Sequence, residues 1–494
     1  MKMCKWFSFL VLIAMLTAMP SCGSSLAPVE PLTFDDVLEI ANARRQTVHE
    51  KDMGMVYAMV EGRTPSAIEW ERVIHSSRAG LISREEAMED VVVLFDLLKH
   101  WYGAYKYFGG NAVFMPLRDS LIESLADRND IVTLDFSLMV QDTLSQVIAD
   151  NHFSFDGVAV GVSYNFFAWE TPFVRSINGL RERDTDRYLL EVIGHELDEI
   201  FRLAVDDNGE FFYVAVVARH EDYGLMYSLS AVYEDGGVES VRLRNSSILS
   251  APGRAHVPAL VFKYDIPVVS MRGDFHLPFP CPYDSVPVLM PDNAALMLSF
   301  AEELRGQTNI IVDIRTNEGG NMGLPRMWLY RLMGEAVPSG RVFFQAVYPM
   351  PYDGASSHLL DMFHTQGQEG VWKFIGDYHV VEALTDRFVL NDVRIILLVD
   401  RFTVSAAEFF VGMVLNIENT LVIGQNTAGA LLTNGGASMR LPNSGIPFRF
   451  GNGILVYREG DFREGIGYAP DVWVVGDALT AALAMLSGNL LEID

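Results

Sequence analysis

Cysteine is scarce in this chain. Cys4, Cys22 and Cys281 are the whole set, so no disulfide framework can replace a packed interior. Basic residues are also few: 37 lysines and arginines face 64 aspartates and glutamates, a net charge of −27. That field repels polyanions and no basic tract offsets it, which excludes nucleic acid as a partner. Long apolar runs are missing as well, and the one near the N-terminus, Trp6 to Ala18, is short of the ~20 residues a membrane-spanning helix needs. Walker loops, G-x-G-x-x-G and G-x-S-x-G patterns do not occur. "HELDE" (195–199) and "HEDYG" (220–224) begin like zinc-peptidase helices but lack the second histidine, so neither a metal nor another cofactor is expected.

What is present is apolar. Half the residues are hydrophobic and a fifth are charged, enough for two or three packed domains and too apolar for a disordered chain. The opening "MKMCKWFSFLVLIAMLTAMPSC" sets two lysines before the apolar run and small, turn-forming residues after it. This is the layout of an export signal, here residues 1–21. Residues 22–30 then read as a flexible tether. Cys22, followed by Gly-Ser-Ser, resembles a bacterial lipoprotein site, which implies an acylated Cys22, a membrane anchor and a place in the cell envelope. "MPSC" departs from the leucine-led form of such sites, and plain secretion is the alternative.

Three textures follow. Residues 31–156 carry apolar residues at three- and four-residue spacing, as in "PLTFDDVLEIANARRQ", "SREEAMEDVVVLFDLLKHWYGAY" and "TLDFSLMVQDTLSQVIAD", which predicts helices. Residues 157–285 alternate in short runs between "DDNG" and "EDGG" turns, which predicts a small β-rich module with one helix at "ELDEIFRLA". Its "YLLEVIGHELDEI" resembles a degenerate PDZ turn. Residues 286–494 read as α/β: "NIIVDIR" and "VRIILLVD" are near-continuous apolar runs of the kind buried on both faces of a parallel sheet, each leading through a loop into a helical pattern. Loops at the carboxyl ends of such strands are where α/β sheets hold their sites.

Two of those loops carry candidate chemistry. In "DRFTVSAAEFFVGM" (400–413), Ser405 and Glu408 fit a capping box. A serine at a helix N-terminus after a buried strand is equally placed to act as a nucleophile beside uncovered backbone N–H groups. Spacing leaves both readings open. In "DIRTNEGGNMG" (313–323), Gly319 and Gly320 serve a tight turn or admit a substrate carbonyl close to the backbone.

Taken in order, "IIVDIRTNEGGN", "VDRFTVSAAEFFVGMV", "VIGQNTAGA", "MRLPNSGIPFRF" and "REGIGYAPDVWV" resemble the successive elements of the C-terminal processing, or tail-specific, serine peptidases. The resemblance implies a crotonase- or ClpP-like α/β core, with Ser405 on the nucleophile and Gly319, Gly320 and Ala406 on the oxyanion hole. Ala430 stands at the position of the usual activating lysine, so the serine–lysine dyad is absent. The tricorn-like branch uses a histidine and a glutamate instead. "VIADNHFSF" resembles its histidine element and places the general base at His152, with Asn151 where the tricorn enzyme has a serine. "REGIGYAPD" places the acid at Glu464, with Asp461 as a near alternative. The implied substrate is a peptide or an unfolded protein. A catalytically silent binding lipoprotein on the same scaffold, taking a peptide or a hydrophobic ligand as the related interphotoreceptor retinoid-binding proteins do, is the alternative.

Overall fold

An apolar run can be buried on both faces only if cores lie on both sides of its sheet, and that requirement organises this molecule. The computed structural model describes residues 32–46, 70–176, 178–220, 224, 226–246, 257–275, 292–338, 342–347, 372–375, 378–382, 388–436, 438–457 and 462–487. The expected export signal, the tether, Cys22, Cys281 and Asp461 lie outside the described residues.

Helices α1 (Phe34–Arg45), α2 (Arg84–Trp101), α3 (Asn111–Leu125) and α4 (Thr133–Ser145) lead the chain. Helix α2 begins at the capping box legible in "SREE", where the Ser83 N–H donates to Glu86 at 2.8 Å and the Glu86 N–H donates to the Ser83 hydroxyl at 3.3 Å. Helices α2, α3 and α4 share one core through Leu94, Phe114 and Phe136, completed by Met439, Leu441, Phe448 and Phe450 from the far end of the chain. Strand Pro447–Arg449 pairs there with Ser154–Phe155, two residues beyond His152. Helix α1 packs elsewhere. Its Val37, Leu38 and Ala41 sit with Leu421 and Ile423 of the α/β core, and buried Arg45 donates to both oxygens of Thr420 at 2.6 Å.

The β-rich module is built from β1 (Tyr164–Ser176), β2 (Gly179–Glu182), β3 (Tyr188–Val192), β4 (Phe201–Val205), β5 (Phe211–His220), β6 (Met226–Tyr233) and β7 (Val238–Asn245). Strand β7 returns to β1, pairing Asn245 with Phe167, and closes β1, β2, β3, β6 and β7 into a small barrel filled by Phe167, Phe173, Leu180, Leu189 and Leu243. The helix expected at "ELDEIFRLA" is confined to Leu197–Ile200. Phe201–Val205 forms β4 instead, because antiparallel pairing with β5 and parallel pairing with the core satisfy its backbone on both sides.

The remaining strands of this thirteen-stranded sheet are β8 (Ala259–Lys263), β9 (Ile266–Ser270), β10 (Asn309–Asp313), β11 (Arg394–Val399), β12 (Thr420–Gly424) and β13 (Val472–Val474). From β9 through β13 the neighbours run parallel, and β13 continues the ladder into β4 of the module. Helices α5 (Asp292–Glu303), α6 (Gly323–Met333) and α7 (Ala406–Val414) cover one face, while α1 and α8 (Ala478–Ser487) cover the other. The period-2 alternation divides β11 accordingly: Ile395, Leu397 and Val399 enter the first core, Ile396 and Leu398 the second. All nine residues of α7 are buried.

Leu397 is fully buried under α7, so Leu397→Ala is expected to cost about 2–5 kcal/mol through lost transfer energy and a residual cavity. Urea unfolding followed by tryptophan fluorescence checks this. A loss below about 1 kcal/mol contradicts the two-core packing.

Candidate active site

Ser405 occupies the turn from β11 into α7 with φ 56° and ψ −117°. Positive φ is uncommon for a residue with a Cβ and costs roughly 1–3 kcal/mol unless its surroundings enforce it. Part of that enforcement is visible: the Ser405 N–H donates to Glu408 Oε2 at 3.0 Å. His152 lies in the turn after α4. Its neighbour Phe153 anchors the turn, edge-on to Tyr102 at 5.4 Å between ring centres and stacked on Phe450 at 6.0 Å. These two turns, 253 residues apart in sequence, bring His152 Nε2 to 2.9 Å from Ser405 Oγ.

The imidazole is held as a free base. Burial pulls His152 below its ordinary 6.5, and Asp150 opposes that shift while Arg449 adds to it. For Nε2 to accept from the serine hydroxyl, the ring proton must sit on Nδ1. That atom is buried with no hydrogen-bond partner among the described residues.

Glu464 does not fill the gap. The resemblance placed it on the imidazole, but its carboxylate accepts backbone N–H groups instead: Asn151 at 2.8 Å, Leu431 at 3.1 Å and Leu432 at 2.9 Å. Three donors occupy both oxygens. Burial and the nearby Asp150 carboxylate push Glu464 well above the usual carboxyl range. Asn151 has its own anchoring task, since its amide donates to Val162 O at 3.0 Å and Gly429 O at 2.7 Å.

The glycine loop departs from expectation at one residue. The Gly319 N–H is committed to Asn317 Oδ1 at 2.9 Å, so it is no oxyanion donor. Gly319 provides space: with φ 93°, a Cβ there would lie 2.7 Å from Ala406 N and 2.9 Å from Ser405 Cβ. The N–H groups of Gly320 and Ala406 have no partner among the described residues; Ala406 directly follows Ser405, and Gly320 follows the Gly319 that packs against it. A hydroxyl against a neutral imidazole, with free N–H groups alongside, is an arrangement suited to acyl transfer.

Several supporting residues escaped the sequence reading. Glu408 is fully buried and accepts from Thr427 Oγ1 and Gly429 N at 2.6 Å and from Ala430 N at 2.8 Å, besides Ser405 N; its only sequence signal was the capping box. Arg401 donates to the carbonyls of Tyr164, Gly465 and Ile466 at 3.1 Å and to that of Thr427. Burial pulls its guanidinium down to about 10.

Residues 290–474 match the model of peptidase family S41, a stretch that contains the glycine loop, Ser405, Glu408 and Glu464 and does not reach His152. Among curated proteins none matches. The chain is similar to the crystal structure of mature CPAF, at 14% identity over 82% of this chain and 95% of that one, TM-score 0.39. It is also similar to the photosystem II D1 C-terminal processing protease, at 14% identity over 80% and 96%, TM-score 0.35. A lipoprotein from Streptococcus agalactiae is similar at 12% identity over 84% and 99%, TM-score 0.36.

Glu408→Ala strands three buried backbone donors and the Thr427 hydroxyl, and is expected to destabilise the protein by more than about 3 kcal/mol. Chemical denaturation measures the loss. A change within about 0.5 kcal/mol of wild type would show that the loop does not depend on this carboxylate.

Proposed function

We propose that this chain is an exported serine peptidase of the tricorn-like processing kind, anchored in the cell envelope through a lipid on Cys22. The observation that carries the reading is the 2.9 Å approach of Ser405 Oγ to His152 Nε2. His152 takes the hydroxyl proton as Oγ attacks the peptide carbonyl, and the oxyanion forms against the N–H groups of Gly320 and Ala406. The imidazolium then protonates the leaving amine, and water releases the acyl group by the reverse proton path. Glu464 serves at one remove, through the Asn151 N–H and the loop at 431–432. A silent binding lipoprotein is the second reading. It draws on His152 Nδ1, which has no partner among the described residues, and on a Glu464 carboxylate that accepts backbone N–H groups elsewhere.

Fluorophosphonate treatment followed by intact-mass measurement separates the two. The peptidase gains a single adduct that Ser405→Ala abolishes and His152→Ala slows by about 10²-fold or more. Because burial favours the neutral imidazole, labelling falls as pH drops through a midpoint below 6.5. No adduct between pH 6 and 9 sinks the peptidase and leaves the binding protein.

The anchor is tested separately. In a bacterial host fed an alkyne fatty acid, the wild-type chain takes up the label and Cys22→Ser does not. Equal labelling of both removes Cys22 as the acylation site.

A further inference from the structure

The site contains a buried carboxylate that the scheme above does not use. Asp150 is fully buried two residues before His152. Its Oδ1 accepts the His152 N–H at 3.0 Å, an Asx turn that fixes the backbone carrying the imidazole. Its Oδ2 accepts the Tyr102 hydroxyl at 2.9 Å and the Thr433 hydroxyl at 2.8 Å. Burial first, and Asp150 second, push the Tyr102 phenol well above its ordinary range, so it remains a donor. One carboxylate thus ties the end of α2, the histidine turn and the 427–433 loop together.

We propose that Asp150 is the positioning residue for His152: it sets the turn that aims Nε2 at Ser405 and supplies the negative charge that steadies the imidazolium. The proposal rests on the serine peptidase reading and deepens it. One proton moves, from Ser405 Oγ to His152 Nε2, and none passes to Asp150. Ser405 at the start of α7 meets the imidazole directly, and the charged groups that act on it are Asp150 from its own turn and Arg449 from the strand at 447–449; Tyr102 and Glu464 approach this turn through Asp150 and the Asn151 N–H. Of the two carboxylates, Glu464 accepts three N–H groups, from Asn151, Leu431 and Leu432, and none from the imidazole. Asp150 is the one that opposes burial at the imidazole. The charge acts through space, since Nδ1 has no partner among the described residues.

The test compares wild type, Asp150→Asn and Glu464→Gln in the full chain. Asparagine keeps the shape and an oxygen for the His152 N–H but removes the charge. Two readouts are taken: the pH profile of fluorophosphonate labelling, and the His152 titration by ¹³C NMR of histidine-labelled protein, assigned against His152→Ala. Asp150→Asn is expected to move both midpoints to lower pH and to slow labelling at pH 8 by about 10²-fold. Glu464→Gln is expected to move the His152 midpoint by less than half as much. An unmoved midpoint in Asp150→Asn, or an equal or larger shift in Glu464→Gln, overturns the proposal. Absence of labelling in wild type is a failure of the peptidase reading alone, because the NMR midpoints still decide whether Asp150 or Glu464 governs the imidazole.

Discussion

The site depends on how four successive backbone N–H groups are satisfied. Residues 429 to 432 lie outside any ladder, and an unpaired buried N–H costs about as much as a lost hydrogen bond. Glu408 takes the N–H groups of 429 and 430, and Glu464 takes those of 431 and 432. Each carboxylate then reaches one residue further. Glu408 holds Ser405 N and Glu464 holds Asn151 N. The loop is therefore the jig that sets the serine turn against the histidine turn. A buried carboxylate is costly without such donors, so loop and carboxylates are each stable only with the other present.

This arrangement explains why Glu464 is displaced from the role the resemblance implied. The three N–H groups hold the Glu464 carboxylate on Asn151 and on the loop at 431–432, and His152 Nδ1 has no partner among the described residues. With Ala430 in place of a lysine, no cation enters this loop to neutralise Glu408. Instead the Ala430 N–H becomes one of its donors. Arg401 reaches the closing loop and is spent on carbonyl oxygens.

Much of the fold was legible where local pattern and burial agree. The near-continuous apolar run in "VRIILLVD" forecasts a strand between two cores, and Ile396 and Leu397 enter opposite ones. Helix α3 falls within the region read as helical but was not singled out, since its N-cap is Gly110, which offers no side-chain cap, and Pro116 stands inside it. Strand β4 was misread because one of its two pairing partners, β13, lies far off in sequence. Contiguous divisions of the chain likewise hide that Phe448 completes the helical core and that α1 packs on β12. At the site, "DNHF" and "TVSAAE" pointed to His152 and Ser405, yet no spacing could reveal that Asn317 captures the Gly319 N–H. Hydrogen-bond partners are settled by packing, which a pattern of residue types does not encode.

The backbone itself separates a helix cap from a nucleophile at Ser405. Thr33 and Ser83 cap α1 and α2 from relaxed extended backbone, with φ −88° and −70°, so this chain caps helices without strain. Ser405 also begins a capping-box sequence, and Glu408 does take its N–H, but its φ is 56°. A cap gains nothing from that conformation, which costs roughly 1–3 kcal/mol. What the turn achieves is to aim Oγ out of the buried helix and at His152, with Gly319 removed from the way. Strain retained at one capping serine and absent from two others points to a demand on the hydroxyl beyond holding the helix end.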